Sequence, residues 1–278
     1  MNHSYEPPVS RLLWIGQPER RWRSYRGMGL TEADVPELFR LLRDQSAEDW
    51  HPPESWAPVH AWRALAEFQI PELIPTVLGL MDEGDGLEID DVLLVDMFEI
   101  ATRVGPAGMP FFKAHAKDTS KDALNRWTAC TAAAAIARRY PETRPAVIAL
   151  LESILKTAEN NFVLLNTGAM TELVDLGSRE SIDLIRHVMN ARLADEGFRG
   201  TLERIEFDLG FRDRPPMRVE PDLLLDEPDT PEDIEAMKSM AEALAAQAKA
   251  EAPGSGAKAR SDRGRKVAKA TKKKGRGK

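Results

Sequence analysis

The chain has 278 residues, of which 42% are hydrophobic and 30% are charged, as is usual for a globular protein. Its longest uncharged apolar stretch is too short to cross a bilayer, so we expect a soluble protein with no membrane contact. Its one cysteine, Cys130, excludes an internal disulfide and a zinc site built from cysteines. The net charge of −7 divides into −17 over residues 1–256 and +10 over residues 257–278, which argues against a body that grips nucleic acid on a basic face.

The N-terminal region contains an aromatic cluster and no recognisable targeting signal. Residues 1–8 lack the basic start and the apolar run of a secretory peptide, so we expect the protein in the cytoplasm. Further along, Trp56, His60 and Trp62 surround the start of a predicted helix. A tryptophan pair at a helix start favours packing in the core, and the alternative is a polar and aromatic cluster on the surface.

A motif with two prolines four residues apart recurs at intervals of 35 residues, in segments 68–75, 103–110 and 138–145. A helix leaves its first four N–H groups without partners, so the pair fits a helix start, with one proline as the cap and the other as the fourth helical residue. Apolar residues at helical spacing follow each pair, and a second helical stretch precedes it, over residues 60–68, 90–103 and 124–139. Weaker copies near Pro36 and Gly177 bring the count to five.

Two helices every 35 to 40 residues, with no convincing strand pattern, predict an all-α fold. One helix pair cannot bury its apolar side alone, so we expect residues 1–211 to form an α-solenoid of about five HEAT-like pairs. Tetratricopeptide repeats have the same length, but the proline before the second helix favours HEAT-like units. The acidic loop at residues 82–91 does not place oxygen ligands at the positions of a calcium-binding EF-hand, so it predicts a solvated turn.

Three segments resemble an uncharacterised bacterial family of HEAT-repeat proteins. They are Tyr-Arg-Gly-Met-Gly-Leu at 25–30, Trp-Ala-Pro-Val-His-Ala-Trp-Arg-Ala-Leu at 56–65 and Val-Gly-Pro-Ala at 104–107. The resemblance extends over residues 10–211 and implies a helical-repeat fold. Members of the family often end in a small cysteine-rich zinc-binding motif like that of the translocation ATPase SecA, and one cysteine cannot form it. The resemblance therefore implies a fold without an established activity.

The C-terminal part of the sequence changes character. Residues 212–230 predict an acidic, proline-containing linker, and residues 231–250 a single amphipathic helix that docks on the end of the stack or binds a partner. Residues 251–278 contain almost nothing that can be buried, which predicts disorder. Such a tail would bind polyanions such as nucleic acid by counterion release, and the alternatives are a solubilising appendage or neutralisation by the acidic linker. The cations of this tail are Lys258, Arg260, Arg263, Arg265, Lys266, Lys269, Lys272, Lys273, Lys274, Arg276 and Lys278.

The sequence contains no recognisable catalytic or metal-binding pattern. Its five histidines are scattered, and it has no Gly-rich phosphate loop and no Ser-His-Asp arrangement. We therefore predict no enzyme activity, no catalytic residue, no metal and no cofactor. The predicted function is a non-catalytic protein-binding scaffold, with an unknown protein partner on the concave face built by the second helices and a basic tail that tethers polyanions. The alternatives are a nucleic-acid-associated protein that binds non-specifically through the tail, and a lyase-like HEAT-repeat enzyme.

Overall fold

The computed structural model describes residues 5–44, 50–84 and 88–216. The chain divides into two units, Met1–Pro216 and Met217–Lys278. The second unit lies outside the described residues, and with it the predicted amphipathic helix, the basic tail and most of the acidic linker.

The described residues form helices and contain no β-strand, which confirms the predicted all-α class. None of these helices combines the length and the apolar character needed to span a membrane. The α-helices are α1 (Val35–Leu42), α2 (Ala57–Glu67), α3 (Leu73–Glu83), α4 (Glu88–Val104), α5 (Met109–Lys117), α6 (Ala123–Arg139), α7 (Arg144–Leu155), α8 (Val163–Asp175), α9 (Ile182–Asn190), α10 (Glu196–Arg199) and α11 (Leu202–Asp208).

The recurring proline pair marks helix starts, and in two of the three copies the first proline lies in a short 3-10 turn before the helix. Pro141 begins the 3-10 turn Pro141–Thr143, and Pro145 is the second residue of α7. Pro110 is likewise the second residue of α5, so the prediction that the second proline is the fourth helical residue is wrong at both places. The missing N–H of proline costs nothing in the first turn, because N–H groups there have no partner within the helix.

Helices two places apart in the chain pack on one another. Among the first helices of the pairs, α2 contacts α4, α4 contacts α6, and α6 contacts α8. The second helices α3, α5, α7 and α9 contact each other in the same order. Buried alanines on α6, such as Ala129, Ala133 and Ala137, leave room for close approach of the neighbouring helices. As a result, one hydrophobic core runs through the described part of the chain from Tyr5 to Leu209.

The described residues before α1 contain no α-helix and include residues that cover α2. We call residues 5–30 the N-terminal segment; it includes the short 3-10 helices Val9–Trp14 and Arg26–Met28. Leu12 and Tyr25 of this segment are completely buried. Every residue of α2 from Ala57 to Ala66 is buried as well, which makes α2 an interior helix.

Candidate functional site

Trp56, His60 and Trp62 all lie in the core, where 8%, 1% and 0% of their surfaces are exposed. The surface-cluster alternative is therefore wrong, and the three side chains serve packing. The carbonyl oxygen of Gly16 can only accept, so His60 Nε2 donates to it at 2.8 Å, and the Tyr25 hydroxyl donates to His60 Nδ1 at 2.8 Å. Burial lowers the pKa of His60 to about 4, so the ring is neutral at pH 7.

A buried ion pair beside His60 joins α2 to α4. Arg63 Nε and Nη2 donate to the two carboxylate oxygens of Asp96 at 2.6 and 2.9 Å, and 5% and 4% of the two side chains are exposed. The indole N–H groups of Trp62 and Trp22 also donate to Asp96, at 2.8 and 3.2 Å. Arg63 Nη1 donates to the carbonyl of Glu19 at 2.7 Å. These groups satisfy one another, so this cluster anchors the N-terminal segment and leaves no donor directed at a ligand.

A groove opens between α3 and α5, the second helices of two consecutive pairs. We call it the α3–α5 groove; its volume is about 320 Å³. One part is apolar and the other polar, so a bound group would meet both kinds of surface. The apolar part is lined by Pro75, Leu78, Gly79, Phe111 and Ala114, and the polar end by Asp82, His115, Asp118 and Lys121.

Gly79 gives the groove space that no described residue fills. It lies inside α3, and apart from its two chain neighbours and the backbone of α3, no atom of the described chain lies within 4 Å of the position that a Cβ would take. At Gly168 on α8 the opposite holds, since a Cβ there would lie 2.1 Å from Cδ1 of Trp127. Packing therefore requires glycine at position 168, whereas no contact in the described part of the chain requires it at position 79.

Asp82 lies at the centre of the polar end. Lys121 Nζ is 2.7 Å from Asp82 Oδ2, and Asn125 Nδ2 donates to Asp82 Oδ1 at 3.2 Å. His115 Nε2 is 3.5 Å from the same Oδ1, which is ion-pair range without a hydrogen bond, and this buried nitrogen has no hydrogen-bond partner among the described residues. Burial lowers the pKa of His115, against the opposing charge of Asp82, so the ring is neutral at pH 7.

Asp118 adds a second carboxylate at this end of the groove. It accepts hydrogen bonds from the hydroxyl and the backbone N–H of Ser120, at 2.6 and 3.0 Å. These hydrogen bonds lower the pKa of Asp118, so the carboxylate is ionised at pH 7. Asp82 and Asp118 together face one ammonium group, that of Lys121, beside a neutral imidazole. The residues lining the polar end therefore carry a net charge of −1.

Comparisons of the chain with protein-family models, with curated proteins and with solved structures find no match. The resemblance to a bacterial HEAT-repeat family therefore stays a prediction. Within the ranges that the structure describes, no group of three or more His, Cys, Asp or Glu side chains could hold a metal ion.

The sequence does not predict the residues of the α3–α5 groove. It predicts a solvated turn at Asp82 and a set of scattered histidines that includes His115, because nothing in one sequence shows that these two positions meet. The one local signal was Gly79, a glycine inside an otherwise helical pattern. The predicted polyanion contacts from Lys258 to Lys278 lie outside the described residues.

Proposed function

We propose that the chain is a non-catalytic, cytoplasmic protein-binding scaffold whose helix pairs stack as a HEAT-type α-solenoid. One observation carries this proposal: first helices contact first helices, and second helices contact second helices, in chain order. Stacking of pairs along one direction generates that order, and stacks of this kind form extended binding surfaces. The partner then binds across the second helices.

The side chains on the second helices support this role. We call the exposed residues of α3, α5, α7 and α9 the second-helix surface. It includes several small or short side chains, among them Pro75, Ala114, Ala146 and Ala149. Small side chains allow the backbone of a partner to come close, and the α3–α5 groove lies within this surface. The buried polar cluster around Asp96, by contrast, is occupied by its own hydrogen bonds.

A photo-crosslinking amino acid placed at Ala149 of the full chain tests the proposal. The matched control carries the same crosslinker at Val95, which is 71% exposed on the first helix α4. After irradiation in cells, we expect protein adducts from position 149 and none from position 95. Adducts from position 95 alone, or none from either folded variant, would contradict a partner on the second-helix surface.

A second candidate function rests on the charge of the tail. Residues 257–278 contain eleven Lys or Arg and one acid, so a nucleic-acid-associated role through the tail is the alternative proposal. Deleting residues 257–278 should then abolish binding to a short duplex DNA in fluorescence anisotropy, and the affinity of the full chain should fall steeply with salt. Equal binding by the truncated chain would exclude this role.

A further inference from the structure

We propose that the α3–α5 groove receives one large apolar side chain of a partner polypeptide together with a neighbouring Lys or Arg. This inference rests on the proposed function, because the groove lies on the second-helix surface. It adds the location of the contact and the chemistry of the partner.

The first support is the glycine in the lining of the groove, Gly79. A glycine inside a helix lowers stability relative to alanine, and packing normally explains its presence. No atom of the described chain approaches the Cβ position of Gly79, so internal packing gives no explanation. A group from outside the chain that occupies this space does explain it.

The second support is the shape and lining of the groove. Its volume of about 320 Å³ is at the lower end of the range in which proteins hold ligands, which suits one bulky side chain and the backbone beside it. Pro75 on α3, which is exposed, and Phe111 on α5, which is half-buried, supply apolar contact area on opposite helices. Ala114 on α5 is exposed and is a second small side chain in this lining.

The third support is the polar end. Two carboxylates, those of Asp82 and Asp118, line this end together with one ammonium group, that of Lys121, which pairs with Asp82, so the lining residues favour one further positive charge. His115 lies there with a buried Nε2 that has no hydrogen-bond partner among the described residues, and such atoms are uncommon in folded proteins. A lysine or arginine next to the inserted apolar residue supplies the positive charge that balances the carboxylates of the polar end.

A selection of random dodecapeptides displayed on phage, with the full chain as bait, tests this inference. We expect the enriched peptides to share a large apolar residue with Lys or Arg within two positions. Fluorescein-labelled copies of these peptides are then titrated by fluorescence anisotropy. Gly79→Leu fills the groove and should weaken binding by at least about tenfold, while Val95→Leu, an exposed apolar change on the first helix α4 and outside the second-helix surface, should alter it by less than about twofold.

The charge requirement has its own test. Asp118→Asn should weaken binding of the basic peptide by about threefold to tenfold and leave unchanged the binding of the same peptide with norleucine in place of Lys or Arg. Circular dichroism and thermal unfolding check that Gly79→Leu is folded, which the open space at its Cβ leads us to expect. Ala114→Leu blocks the groove from α5 and serves as a second filling variant.

The results separate this inference from the proposed function. Peptides that lack the predicted pair of residues, that bind both filling variants as well as the natural chain, or that fail to enrich at all would overturn the groove assignment. Adducts from position 149 would in that case still support a scaffold that uses another part of the second-helix surface. Absence of adducts together with groove-dependent peptide binding would support binding at the groove alone and contradict a partner that extends along the second-helix surface to Ala149.

Discussion

Replacing either of two helical glycines, Gly79 and Gly168, with alanine should change the stability of the fold in opposite directions. Nothing lies within 4 Å of a Cβ at position 79, so Gly79→Ala should raise the free energy of unfolding by about 0.5–1 kcal/mol through helix propensity. A Cβ at position 168 would strike the ring of Trp127, so Gly168→Ala should lower it by about 1–3 kcal/mol. Urea denaturation followed by circular dichroism measures both values. A loss of stability in Gly79→Ala would mean that the open space is required by the fold itself.

The protonation of His60 predicts a loss of stability in mild acid. The pKa of His60 is lowered from 6.5 to about 4 by burial, so between these two values the unfolded chain binds more protons than the folded one. The contribution of neutral His60 is therefore present above pH 6.5 and lost as the pH falls toward 4. Between pH 7 and pH 5 we expect the free energy of unfolding to fall by about 2 kcal/mol from this group alone.

The control for this prediction is His60→Gln, which has no titrating ring. This variant should be less stable at pH 7, because the hydrogen bonds to Gly16 and Tyr25 are disturbed, but it should lose less stability between pH 7 and pH 5. Urea denaturation at both pH values makes the comparison. If the variant and the natural chain lose the same free energy of unfolding between pH 7 and pH 5, other groups, such as His115, cause that loss.

At the scale of elements, one ion pair holds three parts of the chain together. Asp96 on α4 accepts from Arg63 on α2 and from Trp22 of the N-terminal segment. Asp96→Ala leaves the buried Arg63 without its counter-charge, so the free energy of unfolding should fall by about 3–5 kcal/mol. Trypsin should then cut faster in the N-terminal segment, where Arg20 and Arg21 are exposed.

Lys156→Ala is the matched control for that change, in preference to a change at Arg103 of α4, which also contacts the ring of Trp22. Lys156 follows the last residue of α7 and pairs with Glu152, but 65% of its side chain is exposed. A partly exposed pair within one helix contributes less than about 1 kcal/mol, so both the unfolding curve and the trypsin cleavage should stay close to those of the natural chain. If both variants lose the same free energy of unfolding and are cut by trypsin at the same rate, burial does not determine the strength of the Asp96 contacts.

The elements differ in how well the sequence predicts them. The long helices α4 and α6 were predicted within two residues of their ends, because apolar residues at helical spacing and flanking prolines act locally. The short helices α10 and α11 were not predicted, since their few apolar residues, such as the 56% exposed Phe198, form no clear periodic face. The N-terminal segment also has no periodic pattern, and its fold depends on contacts with α2.

The candidate site was less predictable than the helices. His115 and Asp82 come together because α3 packs on α5, and that packing is a property of the assembled fold. The burial of His60 has the same origin, since the residues that cover it come from the N-terminal segment. Helical periodicity predicts which face of each helix is buried in the core, but it does not predict which residues of neighbouring helices line the same groove.

For the molecule as a whole, the proposed stacking predicts that damage at one end stays local. Ile185 on α9 and Ile136 on α6 are both completely buried, and replacing either with alanine should cost about 2–5 kcal/mol. In a one-dimensional stack, Ile185→Ala loosens α9 to α11 and leaves α6 closed, whereas Ile136→Ala opens the middle of the chain.

Cys130 on α6 reports this difference. It is completely buried, and burial raises the pKa of its thiol to about 12, so a thiol reagent labels it only when α6 opens. Labelling should be much faster in Ile136→Ala than in the natural chain and nearly unchanged in Ile185→Ala. The same increase in both variants would indicate one cooperative globule and contradict the stacking proposal.

The bond between Trp22 and Asp96 also affects the order of events during synthesis. The two residues are 74 positions apart, so at ordinary translation rates about 4 to 15 seconds pass between the appearance of the indole and that of the carboxylate that anchors it. For the last 33 residues of this stretch, from Arg63 to Asp96, α2 exists without the ion pair that fixes its cover. The nascent chain therefore exposes the apolar side of α2 for seconds. During this interval we expect a ribosome-associated chaperone to bind that side of the helix.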